Sequence, residues 1–189
     1  FLVPAADLAI RPARSFDWTG RADLMLDDVI IPTSARLTGG EAALAAALDE
    51  AAALACADAV GAIRAANALT RAHTSTRRQF GRSLDAFQVL QHRLVDMTIA
   101  QELAAPITAA AIAACAAATP AKRARAVSAA KVKVGEAARY VGEQCVQLHG
   151  GMGLVQEYPA AHLFARLSLF ELSHSDRDYH LERYAELVL

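Results

Sequence analysis

Two short stretches of this sequence carry residue types that core packing does not require. The first runs from Arg77 to Gly81 as Arg-Arg-Gln-Phe-Gly, and Phe87 and Gln88 follow it. Guanidinium groups are planar, permanently charged forks that match the geometry of a phosphate or pyrophosphate. By itself the stretch is also typical of a solvated basic turn in which Gly81 stops a helix. It therefore predicts an anion site only in combination with other features.

The second stretch runs from Gln147 to Gly153 as Gln-Leu-His-Gly-Gly-Met-Gly. Three glycines in four positions let backbone amides approach a ligand closely, and Gln147 and His149 add hydrogen-bonding groups. The spacing is not the G-x-G-x-x-G that follows a strand in a dinucleotide-binding fold, so that interpretation fails. Taken alone, the stretch is also typical of a glycine-rich helix end.

The elements that position both stretches are predicted to be helices, because apolar residues recur at three- and four-residue steps from Thr38 onward. We expect helices to begin at the Thr38–Glu41 capping box, near Leu84, at Thr119-Pro120, at Pro159 and near the Ser175–Asp178 capping box. The first should end near His73, the second near Ala118 after a kink at Pro106, and the third at Gly150-Gly151. Abundant alanine permits close helix approach, which favours a bundle of long helices.

Residues 1–37 follow a different pattern, with short apolar or alternating runs separated by Asp, Gly and Pro. We expect strands in the runs Phe1–Pro4, Phe16–Asp17, Ala22–Leu26 and Val29–Pro32. Three or so strands cannot close a sandwich, so residues 1–37 are predicted to end a β domain and residues 38–189 to form the helical bundle. The fold class is therefore mainly α, and the first residue, Phe1, leads us to expect an excerpt of a longer polypeptide.

The composition excludes several classes of protein. With 189 residues, 54% hydrophobic and 21% charged, the chain is typical of a globular protein, and its net charge of −1 gives no reason to expect nucleic acid as a partner. The three cysteines stand in apolar stretches without CxxC spacing, which favours reduced thiols in a cytoplasmic protein and no metal site. The longest apolar run, Ala104 to Ala118, contains Pro106 and is mostly alanine, so we expect no membrane span.

In this order and on this helical framework, the two stretches resemble the acyl-CoA dehydrogenase family. The family pattern is Arg-x-x-Phe-Gly, then Phe-Gln or a similar pair, then Gln-x-x-Gly-Gly-x-Gly, then Glu-Tyr-Pro. The sequence matches it at Arg77–Gly81, Phe87-Gln88, Gln147–Gly153 and Glu157–Pro159. The resemblance covers nearly the whole chain, since Asp23 through Pro32 is similar to the strand that ends the family's central β domain. It implies the family's C-terminal helical bundle, preceded by a few strands.

The resemblance also implies a flavoprotein that holds FAD between subunits. In the family, the matching residues come from one subunit and contact the pyrophosphate and adenosine side of FAD in its neighbour. The residues to which this role is carried over are Arg77, Phe80, Phe87, Gln88, Gln147, Leu148, His149, Gly150 and Gly151. The implied reaction is α,β-dehydrogenation of an acyl-CoA thioester in a homo- or hetero-oligomer, with an electron acceptor such as electron-transfer flavoprotein.

The glutamate that removes the α proton in this family has no counterpart at its usual place. In most members it lies in a Glu-Gly-Thr turn after the Glu-Tyr-Pro helix, where this sequence has His174-Ser175-Asp176. A minority use a glutamate in the first bundle helix, at the position of Ala51. Glu50 is one residue away and therefore about 100° around the helix. Glu50 and His174 are the candidates for a base within this chain, and the catalytic residue is otherwise unknown.

The end of the chain is similar to the small subunits of heteromeric acyl-CoA dehydrogenases. There Asp-x-Asp-x-His-Leu-x-Arg replaces the usual cofactor-contacting turn, and Asp176, Asp178, His180, Leu181 and Arg183 compare loosely with that pattern. A partner subunit is then expected to supply the base. Two other functions stay open: a flavin oxidase or hydroxylase of the same superfamily, and a non-catalytic helical partner that completes a neighbour's FAD site.

Overall fold

The computed structural model describes all residues, 1–189, and divides the chain into two compact units, Phe1–Ala47 and Leu48–Leu189. The first unit contains one antiparallel hairpin, formed by β1 (Ala9–Arg14) and β2 (Gly20–Met25). Its register pairs Ala9 with Met25 and Arg14 with Gly20. At the turn, Asp17 accepts hydrogen bonds from the backbone N–H and the hydroxyl of Thr19.

Most of the predicted strands in this segment are wrong. Only the run Ala22–Leu26 coincides largely with a strand, whereas Phe1–Pro4, Phe16–Asp17 and Val29–Pro32 lie outside the hairpin. Phe16–Asp17 forms part of the hairpin turn instead, and the Leu2 N–H donates to the Ala35 carbonyl at 2.8 Å. The partner strand β1 was missed because it contains Pro12, which a two-stranded ribbon tolerates on its unpaired side.

The helical bundle begins with α1 (Gly40–Thr76), a helix of 37 residues. Its predicted start at Thr38 is two residues early. The first carbonyl to accept a helical hydrogen bond is that of Gly39, from the Ala43 N–H at 3.3 Å. Gly39 and Gly40 have φ values of +100° and +52°, a conformation that favours glycine. Because helical residues have negative φ, the helix cannot begin at Thr38 and run through these two glycines.

Three further helices follow close to their predicted positions. After a short hairpin, β3 (Arg78–Gln79) with β4 (Arg82–Ser83), α2 spans Gln88–Ala117 and continues through Pro106. The residues Leu84–Ala86, expected in the same helix, form a separate 3-10 turn. The third helix, α3, spans Pro120–His149 and is capped by Thr119, whose hydroxyl accepts from the Lys122 N–H. The fourth, α4, spans Pro159–Leu172.

The last helix, α5 (Arg177–Glu186), begins two residues after Ser175, the first residue of the predicted capping box. Asp176 is the cap, and its carboxylate accepts from the Tyr179 N–H at 3.0 Å. Ser175 cannot cap the helix because it has a φ of +70°, and a capping residue normally has extended backbone.

The core is made largely of small side chains, which is why the helices can pack closely. Its fully buried members include Cys56, Ile63, Val127, Val134, Val141 and Leu167 from α1, α3 and α4, and Met97 and Ala104 from α2. By length and composition α2 is apolar enough to cross a membrane, and only 17% of the relevant window is buried within the chain. One such helix is weak evidence for a span, since helices that pack in soluble proteins pass the same test.

Candidate cofactor-binding site

The Arg77–Gly81 stretch forms the tip of an exposed hairpin. Phe80 and Gly81 are its turn residues, with φ values of +50° and +80°. The side chain of Phe80 is 90% exposed, so the turn presents a large apolar ring to the solvent. A single exposed aromatic ring is common on protein surfaces, so its role depends on the groups around it.

Each of the three hairpin arginines has a different environment. The Arg82 guanidinium lies 3.9 Å from the centroid of the Phe87 ring, which in turn meets Phe80 edge to face at 6.2 Å. Arg78 donates a long hydrogen bond of 3.4 Å to the Gly81 carbonyl. The exposed guanidinium of Arg77 takes part in none of the hydrogen bonds and ion pairs of the chain, so its planar fork is the one available for an anion.

The Gln147–Gly153 stretch ends α3 and begins a 3-10 turn, Gly150–Leu154, as the glycines predict. Gly150 follows the helix with a φ of +60°. His149, the last helical residue, is 6% exposed, and its Nδ1 lies 2.7 Å from the Cys145 carbonyl oxygen. Because a carbonyl only accepts, Nδ1 carries the proton and Nε2 is an acceptor. That buried Nε2 has no hydrogen-bond partner in the chain.

Contacts between tilted aromatic rings join the end of α1 to the second stretch. The imidazoles of His73 and His149 have centroids 4.3 Å apart, and the Tyr158 ring lies 5.3 Å from that of His149. Burial, together with His149 and Arg77, lowers the pKa of His73, which favours its neutral form. The structure therefore brings the last turn of α1, which leads to Arg77, against the end of α3. Sequence analysis missed His73; its place one turn before Arg77 was the available signal.

The other predicted contact residues divide by exposure. Gln88, Gln147, Gly150 and Gly151 are exposed, whereas the Leu148 side chain is 7% exposed and packs in the core. Leu148 can therefore meet a ligand only through its backbone. An available guanidinium fork, a buried acceptor without a donor and an exposed glycine turn fit the pyrophosphate and adenosine part of FAD.

The candidate bases occupy separate places. Glu50 is exposed and lines a cleft of about 230 Å³ between α1 and α2, beside Leu54, Ile112 and Cys115. Ala51 is half-buried on a neighbouring face of the helix. His174 is exposed at the end of α4, with a φ of +55°.

Comparison with known proteins agrees with this fold. The profile of the acyl-CoA dehydrogenase C-terminal domain matches residues 38–187. The acyl-CoA dehydrogenase IpdE2 of Mycolicibacterium smegmatis is 32% identical over 137 residues, which cover 72% of this chain and 41% of that protein. This chain belongs to the acyl-CoA dehydrogenase family, and its helical bundle is the C-terminal domain of that family.

Solved structures show the same architecture. A Tcur3481-Tcur3483 steroid ACAD superposes with a TM-score of 0.88 at 27% identity, covering 96% of this chain and 48% of that one. The butyryl-CoA dehydrogenase of Megasphaera elsdenii superposes with a TM-score of 0.85 at 23% identity, covering 95% and 48% of the two chains. The chain thus spans about half the length of the solved structures it matches, and 41% of IpdE2.

Proposed function

We propose that this chain is part of a subunit of an FAD-dependent acyl-CoA dehydrogenase and that it completes an FAD site across a subunit interface. FAD, when bound, supplies the hydride acceptor for α,β-dehydrogenation of an acyl-CoA thioester. The chain's own residues bind and orient that cofactor. Family membership supports the class of reaction, and the arrangement around Arg77 and His149 supports the cofactor role.

The observation that carries the proposal is the pairing of an available cation with a buried acceptor at one end of the bundle. Arg77 binds the pyrophosphate through its two parallel N–H groups, which give charge-assisted hydrogen bonds. His149, held as the Nδ1–H tautomer by the Cys145 carbonyl, offers Nε2 to a donor of the adenosine half. Phe80 covers the cofactor with its exposed ring. Gln147, Gly150 and Gly151 contribute polar groups of the turn, and Phe87 and Gln88 the start of α2.

Exposed apolar side chains on α2 support an oligomer. Val95, Ile99 and Leu103 follow one another at four-residue steps on α2 and stay exposed, and the helix is apolar overall. A neighbouring subunit would cover these side chains and bring the hairpin to the FAD of that neighbour. A heteromer is supported by the missing glutamate, and the similar steroid ACAD carries two paired names, Tcur3481 and Tcur3483. Electron-transfer flavoprotein is the expected electron acceptor of the assembly.

The absence of a carboxylate at the usual base positions favours one second function, a non-catalytic partner subunit. Ala51 and His174 stand where the family has its alternative and its usual glutamate. In that function the chain would still complete a neighbour's FAD site. Reduction of bound flavin by acyl-CoA distinguishes the catalytic subunit from the non-catalytic partner. Substitutions in a non-catalytic partner should change how much FAD the assembly retains, but not the rate at which the retained flavin is reduced.

The test of the cofactor role is Arg77→Ala in the full assembly. Arg64→Ala, which removes an exposed arginine from α1, the helix that ends just before Arg77, is the matched control. Losing a charge-assisted fork costs roughly 1.5–3 kcal/mol, so FAD affinity should fall about ten- to a hundredfold. Arg77→Lys should restore only part of it, because a point charge cannot bind in a bidentate manner. Equal FAD content and affinity in Arg77→Ala and Arg64→Ala would refute the role.

A further inference from the structure

His180 on α5 is 2% exposed, and both of its ring nitrogens are engaged. Nε2 lies 2.9 Å from the carbonyl oxygen of His174, and Nδ1 lies 3.2 Å from the hydroxyl of Ser128 on α3. A carbonyl only accepts, so Nε2 carries the proton and Nδ1 accepts from the serine. One defined neutral tautomer therefore connects α3 to the turn between α4 and α5.

That turn has an unfavourable backbone conformation. His174 and Ser175 have φ values of +55° and +70°, a region that non-glycine residues seldom adopt. Such a conformation persists only where the surroundings hold it. The Ser173 N–H donates to the Leu169 carbonyl before the turn, and Asp176 caps α5 after it. Between these two anchors, His180 donates its hydrogen bond to the carbonyl of His174, which has the left-handed backbone conformation.

The groups around His180 keep it neutral. Burial lowers its pKa first of all; Lys131 on α3 and Arg183 on α5 add to this, while the His174 carbonyl and Asp49 on α1 oppose it. Lys131 also fixes the end of α4, since its Nζ donates to the Phe170 carbonyl at 2.9 Å and lies 4.3 Å from the Phe170 ring centroid. Buried side chains of α3 and α5 therefore hold the turn, together with the Ser173 hydrogen bond before it and the Asp176 cap after it.

We propose that His180 is a positioning residue: its Nε2–H holds the His174–Ser175 turn in the left-handed conformation in which that turn meets the acyl-CoA. This inference rests on the proposed function, because the turn stands where the family has its glutamate. On this proposal the backbone conformation of the turn matters for catalysis, and the imidazole of His174 does not. Removing the His180 donor should then matter more than removing the His174 imidazole.

Two near-isosteric variants separate the two hydrogen bonds of His180. In His180→Gln the side-chain amide reaches the place of Nε2 and still donates to the His174 carbonyl. In His180→Asn the amide reaches only the place of Nδ1, so the bond to Ser128 is retained and the bond to the turn is lost. Glu182→Gln, exposed on the same helix, is the control.

The measurements are hydrogen exchange at residues 173–176 and steady-state kinetics with acyl-CoA, both on the FAD-loaded assembly. We expect His180→Asn to exchange faster at the turn and to lose about tenfold or more in kcat, since small misplacements cost up to about a hundredfold. FAD content and KM should change little, and His180→Gln should behave like Glu182→Gln.

Equal exchange in the two variants would overturn the proposal, as would faster exchange in His180→Asn with unchanged kcat. If His180→Asn does not fold, Ser128→Ala gives a milder test, in which exchange at residues 173–176 should rise above that of Glu182→Gln. If the wild-type assembly binds FAD that no acyl-CoA reduces, the proposed function fails. The exchange measurement then still decides whether His180 holds the turn.

Discussion

Asp49 on α1 accepts a hydrogen bond of 2.7 Å from Arg183 on α5, a residue 134 positions later in the chain. Its second oxygen accepts at 3.0 Å from Arg123 on α3. The carboxylate is 3% exposed, whereas the arginine side chains keep 13% and 23% of their accessibility. One buried acid therefore joins three helices, and it does so through α5, the helix that also carries His180.

Asp49→Ala should destabilise the fold by about 3 kcal/mol, because it leaves two partly buried cations without their counter-charge. Asp58→Ala is the matched control. Asp58 forms a bidentate pair with Arg166, at 2.9 Å for both hydrogen bonds, but that pair is exposed. Its loss should cost below about 1 kcal/mol. Urea unfolding of both variants measures the difference, and equal midpoints would contradict the account of Asp49.

The long helices could be predicted from sequence because period, capping residues and prolines agree. Thr119-Pro120 and Pro159 mark helix starts that the structure confirms. The capping residue of α5 was harder to predict, because Ser175 and Asp176 are adjacent and both are residue types that cap helices well. The left-handed backbone conformation of Ser175 leaves Asp176 as the cap. The strands of residues 1–37 were poorly predicted, because short runs with little burial carry a weak pattern.

Stability should fall at acidic pH through His73 and His180. Burial is the main cause that lowers the pKa of each from its ordinary value of 6.5. Above that value both states are neutral at these positions; below it the unfolded chain binds more protons than the folded one. The free energy of unfolding should therefore decrease as pH falls from about 6.5 through the folded-state pKa values.

Urea titrations across that range check this prediction. The double variant His73→Gln and His180→Gln should show a flatter dependence, because neither side chain titrates. His92→Gln, which replaces an exposed histidine on α2, is the control and should keep the wild-type slope. If the double variant keeps the wild-type dependence of the unfolding free energy on pH, groups other than His73 and His180 control the stability at acidic pH.

Gly153 should be harder to replace than Gly151 in the turn after α3. A Cβ there would lie 2.8 Å from the Val146 carbonyl oxygen and 2.9 Å from the Val146 Cα, which are backbone atoms. A Cβ at Gly151 meets nothing within 4 Å. Gly153→Ala should cost about 1–3 kcal/mol, as overpacking usually does, and Gly151→Ala much less. Thermal unfolding compares them, and equal losses would contradict this packing argument.

The candidate site was only partly visible in the sequence. Family motifs identified Arg77 and His149, but a sequence does not distinguish the three hairpin arginines. The structure does, because Arg82 stacks on Phe87 and Arg78 reaches the Gly81 carbonyl, while the Arg77 fork stays available. The orphaned Nε2 of His149 depends on its tautomer and burial, and neither follows from residue type.

Neither Glu50→Ala nor His174→Ala should cost more than about tenfold in turnover in the full assembly. Loss of a true general base usually costs about a hundredfold or more. Glu50 faces the cleft beside Cys115, and His174, which we propose to stand where the family has its glutamate, carries no carboxylate. Rates of flavin reduction by acyl-CoA decide this. If either variant binds FAD, folds and is no longer reduced, the chain carries its own base.

The central claim is that this chain completes an FAD site shared between subunits, and flavin content tests it most directly. The absorbance of bound flavin, per mole of protein, should be measured for the chain purified alone and for the chain co-expressed with a homologous partner. We predict little or no bound FAD in the chain alone and stoichiometric flavin in the assembly. A monomeric chain with full flavin occupancy would contradict the shared site.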